Sequence, residues 1–173
     1  MRSSKRYSNQ TFTKRVDHDS GRHRPQRSPA EPLLCERCKA VYVHRRWISA
    51  REMRQNMKGK EWKPARKVIC PACEIVEEGT PAGYLYLEGD FFVAHRDELQ
   101  RLIENEAKRA RSDNPLARII RMTSAADRLT VETTTEHLAQ RLGHALEKAF
   151  GGDVRYGFSH ENKLSRVWWH RDE

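Results

Sequence analysis

The large apolar residues are unevenly spread along the chain. Before Leu33 only Tyr7, Phe12 and Val16 are large and apolar, among Ser, Arg, Asn, His and Pro, so residues 1–30 read as a disordered basic arm. From Gly83 onward the pattern becomes regular. Gly83-Tyr-Leu-Tyr-Leu-Glu alternates with period two and predicts a strand that extends through Phe91-Phe92-Val93. Residues 96–112 follow the helical period, with Leu99, Leu102, Ile103, Ala107 and Ala110 on one face, and Asp113-Asn114-Pro115 stops that helix. Ala117 to Met122 and Arg128 to Thr133 are expected strands around a turn at Ala125-Ala126-Asp127. Thr133 and Glu136 have the spacing of a capping box for a second helix. That helix has its apolar face at Leu138, Leu142, Ala145, Leu146, Ala149 and Phe150, and Gly151-Gly152 ends it with a left-handed cap. Asp153–Phe158 and Leu164–Trp169 form a hairpin around residues 160–163.

The order strand, helix, strand, strand, helix, strand pair is the β-α-β-β-α-β pattern of ferredoxin-like folds, with both helices on one sheet face. If Leu85 and Leu87 face the helices, alternation places Tyr84, Tyr86, Arg166, Trp168 and Arg128 on the opposite face. Such a face either stacks nucleobases or packs on the preceding module or a second subunit.

The segment before Gly83 is built differently. Cys35-Glu-Arg-Cys38 and Cys70-Pro-Ala-Cys73 contain all four cysteines of the chain. A Cys-x-x-Cys turn sets two thiolates about one tetrahedral edge apart, so two such turns close a four-sulfur shell around zinc. The 31 residues between the pairs, Lys39 to Ile69, exceed a compact ribbon spacing and require a hairpin or loop as insert. Ala40-Val-Tyr-Val43 continues the first turn as a strand, and Lys67-Val-Ile69 leads into the second. No apolar signal segment precedes the cysteines, which argues against a secreted disulfide scaffold. His18 and His23 are not needed as ligands. The expected class is thus α+β: a four-cysteine, zinc ribbon-like module at 31–78, carrying structural Zn2+, then a ferredoxin-like domain at 83–173. Glu77 to Gly83 is the turn-rich hinge between them, and Glu77 and Glu78 are expected to be solvated.

Charge sharpens this picture. The 173 residues carry a net +9, of which residues 1–29 hold +6 and residues 45–67 hold +7, leaving a mildly acidic body. Cations concentrated in two segments fit a polyanion, because Lys and Arg at phosphates release condensed counterions. Arg45, Arg46, Arg51, Arg54, Lys58, Lys60, Lys63, Arg66 and Lys67 are the candidate phosphate contacts. Trp47 and Trp62 lie among them, and either stack on bases or pack against the zinc module. Neither basic segment has the amphipathic stripe of a membrane-surface helix, and no stretch approaches the roughly 20 apolar residues that span a bilayer. A cytoplasmic protein is expected.

Catalytic signatures are missing. The sequence has no phosphate-cradling glycine loop, no Gly-x-Ser-x-Gly and no His-Glu-x-x-His. A closed four-cysteine shell leaves neither a thiol nucleophile nor an open metal position. His137 and His144 fall on the side of the second helix away from its leucines and are expected to be solvated. A non-enzymatic protein without a small-molecule substrate is therefore expected.

The paired knuckles, the step Pro81-Ala82-Gly83-Tyr84-Leu85 and the segment Val131-Glu-Thr-Thr-Thr-Glu-His-Leu-Ala-Gln-Arg-Leu-Gly143 together resemble the Nmd-type adaptors of the large ribosomal subunit. They are most similar to short bacterial proteins related to that family. The larger members have more cysteines and additional barrel-like domains, which this length does not hold. The resemblance covers about residues 33–170. It implies contact with rRNA or a ribosomal particle, as an assembly, quality-control or hibernation factor, with Cys35, Cys38, Cys70 and Cys73 on zinc. A DNA-binding zinc-ribbon regulator and a protein-interaction adaptor are the competing expectations.

Overall fold

The structure is a computed structural model, and it describes residues 30–161 and 163–173. Of the arm expected at residues 1–30, residues 1–29, with His18 and His23, lie outside them. The described chain is mixed α+β, with two sheets and five helices.

The first sheet is small, with strand order β3-β2-β1-β4. Its strands are β1 (Leu33–Cys35), β2 (Val41–Val43), β3 (Arg46–Ile48) and β4 (Arg66–Val68). β1 pairs antiparallel with β2 and parallel with β4. Period-two alternation then divides its side chains between two small cores. Tyr42 and Trp47 point to the cysteine side, whereas Val41 and Ile48 point to the other. That second side is covered by helix α1 (Ala50–Asn56) through Met53 and Met57, and by Trp62 from the following loop. Helix α2 (Pro71–Glu78) begins at the second cysteine pair.

The second sheet has five strands in the order β6-β7-β5-β9-β8. β5 (Gly83–Glu88) is central, antiparallel to β7 (Arg128–Thr133) and parallel to β9 (Leu164–His170). β6 (Ile119–Ser124) and β8 (Asp153–Ser159) form the edges. The last hairpin does not simply add a strand outside its predecessor, because β9 returns between β8 and β5. Leu85, Leu87, Leu129, Val131, Val167 and Trp169 make the core under helices α4 (Arg96–Asp113) and α5 (Glu136–Phe150). Those helices contribute Leu99, Ile103, Ala110, Leu138, Leu142 and Leu146.

Three local expectations need correction. Phe91-Phe92-Val93 does not extend β5, but lies in a short helix, α3 (Asp90–Ala94). Gly89 turns the chain there at φ +105°, and a Cβ on it would lie 2.3 Å from the Arg171 carbonyl oxygen, so only glycine fits. Thr133 does not cap α5. It is held in β7 opposite Gly83, and Thr135 is the cap, accepting from the Leu138 amide at 3.2 Å. Ala149 is exposed rather than on the buried face of α5. At the far end Gly151 closes α5 at positive φ, as glycine allows, but with ψ −149° it is not the left-handed helical cap that was expected.

Candidate metal centre

Each cysteine pair is placed by a different local device. In the first, the Cys35 amide donates to the Ala40 carbonyl and the Lys39 amide to the Cys35 carbonyl, folding Cys35–Ala40 into a tight turn between β1 and β2. Lys39 sits at φ +64°, the left-handed position such a turn requires. In the second, Cys70 is the N-cap of α2 and Pro71 opens the helix. Cys70 therefore lies at the positive end of a helix, which favours a thiolate. The parallel pairing of Cys35 with Val68 brings the two turns together, and the Cys70 amide donates to the Cys35 sulfur at 3.3 Å.

All four Sγ atoms lie within 4.8 Å of one another, with Cys35–Cys73 at 3.8 Å and Cys38–Cys70 at 3.5 Å. No disulfide joins them. A tetrahedral ion with metal–sulfur bonds near 2.3 Å would set its sulfurs about 3.8 Å apart, so these residues fit a metal ion. Cys35, Cys70 and Cys73 are buried and Cys38 is half-buried. A hydrogen bond from Cys70 holds the Cys38 thiol down to about 4, and the same contact, with burial, pushes Cys70 up. Metal binding would require the thiols to lose their protons.

A fifth residue completes the centre from the other side. Arg118, in the loop before β6, donates to Cys73 Sγ at 3.3 Å and to Cys70 Sγ at 3.6 Å. Burial opposes its charge, but the bond to Cys73 and the adjacent Cys38 and Cys70 sulfurs outweigh that, and its pKa is raised. Arg118 Nε also donates to the Pro115 carbonyl, and its amide donates to Thr134 Oγ1 at 2.9 Å. The buried Thr134 hydroxyl in turn donates to Leu116, whose side chain packs among the cysteines. The guanidinium thus offsets thiolate charge and ties the centre to the second sheet. Nothing in the sequence pattern singles out Arg118, because its partners are 45 and 48 residues away.

The basic residues stand on ordered supports of the first sheet and its helix. His44 and Arg45, both at positive φ, make a two-residue turn between β2 and β3, and the Glu31 carboxylate accepts both their amides. Arg51 and Arg54 lie on α1, Lys58, Lys60 and Lys63 in the loop after it, and Arg66 and Lys67 on the edge strand β4. All nine cations are exposed. Arg46 pairs with Glu52, and the other eight have no ion-pair partner among the described residues. The helix α1 escaped the sequence reading, although Ser49-Ala-Arg-Glu52 is a capping signature and the Ser49 hydroxyl accepts from the Glu52 amide. The tryptophans differ from their basic neighbours. Trp47 is 8% exposed and packs beside the cysteines and Tyr42, so of its two expected roles the structure shows packing on the cysteine module and not a ring open to bases. Trp62 is half-buried against Val41, Ile48 and Met53.

Comparison with known proteins yields no relative. No protein-family model matches the chain, and no curated protein or solved structure is significantly similar to it. Among the described residues, no helix is long and apolar enough to cross a membrane. Glu77 lies at the end of α2, exposed and paired with Arg37. His137 is exposed on α5 beside Glu136, and His144 is half-buried near Glu147.

Proposed function

We propose that this is a cytoplasmic RNA-binding protein whose four cysteines hold a structural Zn2+, and whose RNA is ribosomal, on a particle that it helps assemble, inspect or store. The observation that carries the reading is the set of eight exposed cations between Arg45 and Lys67 that have no ion-pair partner among the described residues, displayed by the β2–β3 turn, α1, its loop and β4. So many uncompensated charges on ordered backbone suit a rigid array of phosphates. Zinc is the metal chosen because a closed shell of four thiolates suits a redox-inert tetrahedral ion, which would supply folding energy rather than chemistry. Cys35, Cys38, Cys70 and Cys73 would be its ligands, and Arg118 would orient two of them. The ribosomal assignment leans on the resemblance of the knuckles and of residues 131–143 to Nmd-type adaptors. In this reading the second sheet is a ferredoxin-like core, β5-α4-β6-β7-α5-β8, into which β9 is inserted.

Lys58, Lys60 and Lys63 changed together to Ala tests it. The expected result is weaker binding to a structured rRNA fragment and a salt dependence flattened by up to about three phosphate contacts. An unchanged salt slope refutes the assignment of the insert. Tighter binding to duplex DNA than to RNA replaces RNA with DNA as the target. Sedimentation of tagged protein with ribosomal subunits, lost in high salt or after ribonuclease, supports the particle. Sedimentation only at the top of the gradient removes it.

A further inference from the structure

The face of the second sheet away from α4 and α5 bears a row of aromatic rings, half-buried at Tyr84 and Tyr86 and exposed at Trp168. Tyr84 and Tyr86 on β5 lie with ring centroids 6.0 Å apart and planes 1° from parallel. Trp168 on β9 continues the row at 6.0 Å from Tyr86, tilted by 23°. The Arg166 guanidinium stands over Tyr84 at 5.9 Å. Register explains the grouping, because Tyr84 is opposite Arg166 and Tyr86 opposite Trp168. Position 157, opposite Arg166 on β8, is glycine. A Cβ there would lie 3.0 Å from Trp168 Cζ3, so the indole leans over β8 close against position 157.

Acids and arginines both lie on this face, Glu88, Glu132 and Asp153 with Arg121, Arg128, Arg155 and Arg166. Glu132 is taken by Arg121 and Glu88 by Arg128, both on this face. Arg155, opposite Trp168, and Arg166 have no acidic partner among the described residues. Alternation makes the contrast clear: Leu85, Leu87, Val167 and Trp169 are wholly buried on the helix side, while Trp168 is 37% exposed.

We infer that this face is a second RNA site, taking single-stranded RNA with bases on Tyr84, Tyr86 and Trp168 and phosphates at Arg155 and Arg166. Rings give sequence-tolerant stacking because every base has a π-face, and unpaired arginines flanking the rings match the backbone that must accompany stacked bases. The proposal rests on the RNA-binding reading but uses a different surface, so one protein would grip a structured segment by its insert and an adjoining unpaired strand by its sheet.

The full zinc-loaded chain is titrated against a fluorescein-labelled 12-nucleotide oligouridylate and, separately, an RNA hairpin, over a series of salt concentrations. Trp168→Leu with Tyr86→Leu should weaken oligouridylate binding about tenfold or more, leave its salt slope unchanged and leave the hairpin unaffected. Trp168→Phe, which keeps a ring, should restore most of the loss. Arg155→Ser with Arg166→Ser should instead lower the slope by about two. Two results overturn the proposal. In one, oligouridylate binding is insensitive to the leucine variants while the lysine variants abolish it; the insert reading then stands without the sheet. In the other, the leucine variants dissociate a dimer without changing RNA affinity; a second copy then covers the face. If the wild-type chain binds neither probe, both readings fall.

Discussion

Replacing Arg118 with Met tests whether the cysteine centre is built by both halves of the molecule. Met keeps an apolar stem of similar length and removes the guanidinium, hence the donors to Cys73 at 3.3 Å and Cys70 at 3.6 Å. Two sulfurs would lose a hydrogen bond and the site a compensating positive charge. Groups that bond to metal ligands typically contribute 10- to 100-fold in metal affinity, about 1.4 to 2.7 kcal/mol. The upper half of that range is expected here, because one side chain serves two sulfurs and is itself half-buried, with its Nε fixed on the Pro115 carbonyl. Competition with a chromophoric chelator at pH 7 measures the zinc affinity of both proteins. Arg118→Lys should fall between them, since one ammonium keeps the charge but not the fork that reaches both sulfurs. Thr134→Val should weaken affinity less, by loosening the backbone that carries Arg118, and its effect should not add to that of Arg118→Met. Affinity within about twofold of wild type in Arg118→Met would show that the contact is incidental and that the metal module stands alone.

Other expectations follow from the same geometry. Cys35→Ser or Cys70→Ser should abolish stoichiometric zinc and unfold residues 31–78, seen by metal analysis together with proteolysis, and a variant with one zinc per chain contradicts the closed site. Trp47→Ala should cost about 3–5 kcal/mol in a denaturant melt, because the ring fills the space beside Tyr42 and the cysteines, whereas a ring held for RNA alone would leave the melt unchanged. Gly143→Ala should destabilise by about 1–3 kcal/mol, since its new Cβ would lie 2.5 Å from Val167 Cγ1, and an unaltered melting temperature would mean that α5 and β9 yield easily. Burial, aided by the Glu147 carboxylate, pushes the Tyr156 phenol up to about 12. A raised phenol gives stability that is present below its unfolded value near 10 and is lost as pH rises toward 12. Tyr156→Phe should remove that part of the alkaline loss, measured by denaturant midpoints at pH 9 to 12.

The legible parts of this chain were those set by local repetition. The alternation of Tyr84 to Leu87 and the 3.6-residue rhythm of Leu99 to Ala110 fixed the elements and their faces, because period alone decides which side meets the core. The cysteine pairs disclosed the centre because their spacing encodes the tetrahedral edge. What escaped was decided by neighbours distant in sequence. Phe91 to Val93 looked like continued strand, and only the Arg171 backbone pressing on Gly89 turns them aside. The place of β9 depends on β5, about eighty residues earlier, and Arg118 is drawn to sulfurs that the loop before β6 reaches only in three dimensions. Trp47 sat among cations in the sequence but alternates inward in β3, where burial outweighs its company.

The interior position of β9 also governs how the body comes into being on the ribosome. β5 emerges about eighty residues before its partner on one side, so Gly83–Glu88 must wait with an open edge until residues 164–170 arrive. Any product ending before Leu164 leaves two strand edges unpaired and Trp169 missing from the core. The β5–β9 pairing therefore closes the sheet only once residues 164–170 have joined it, and chains interrupted before them keep strand edges that invite association and proteolysis.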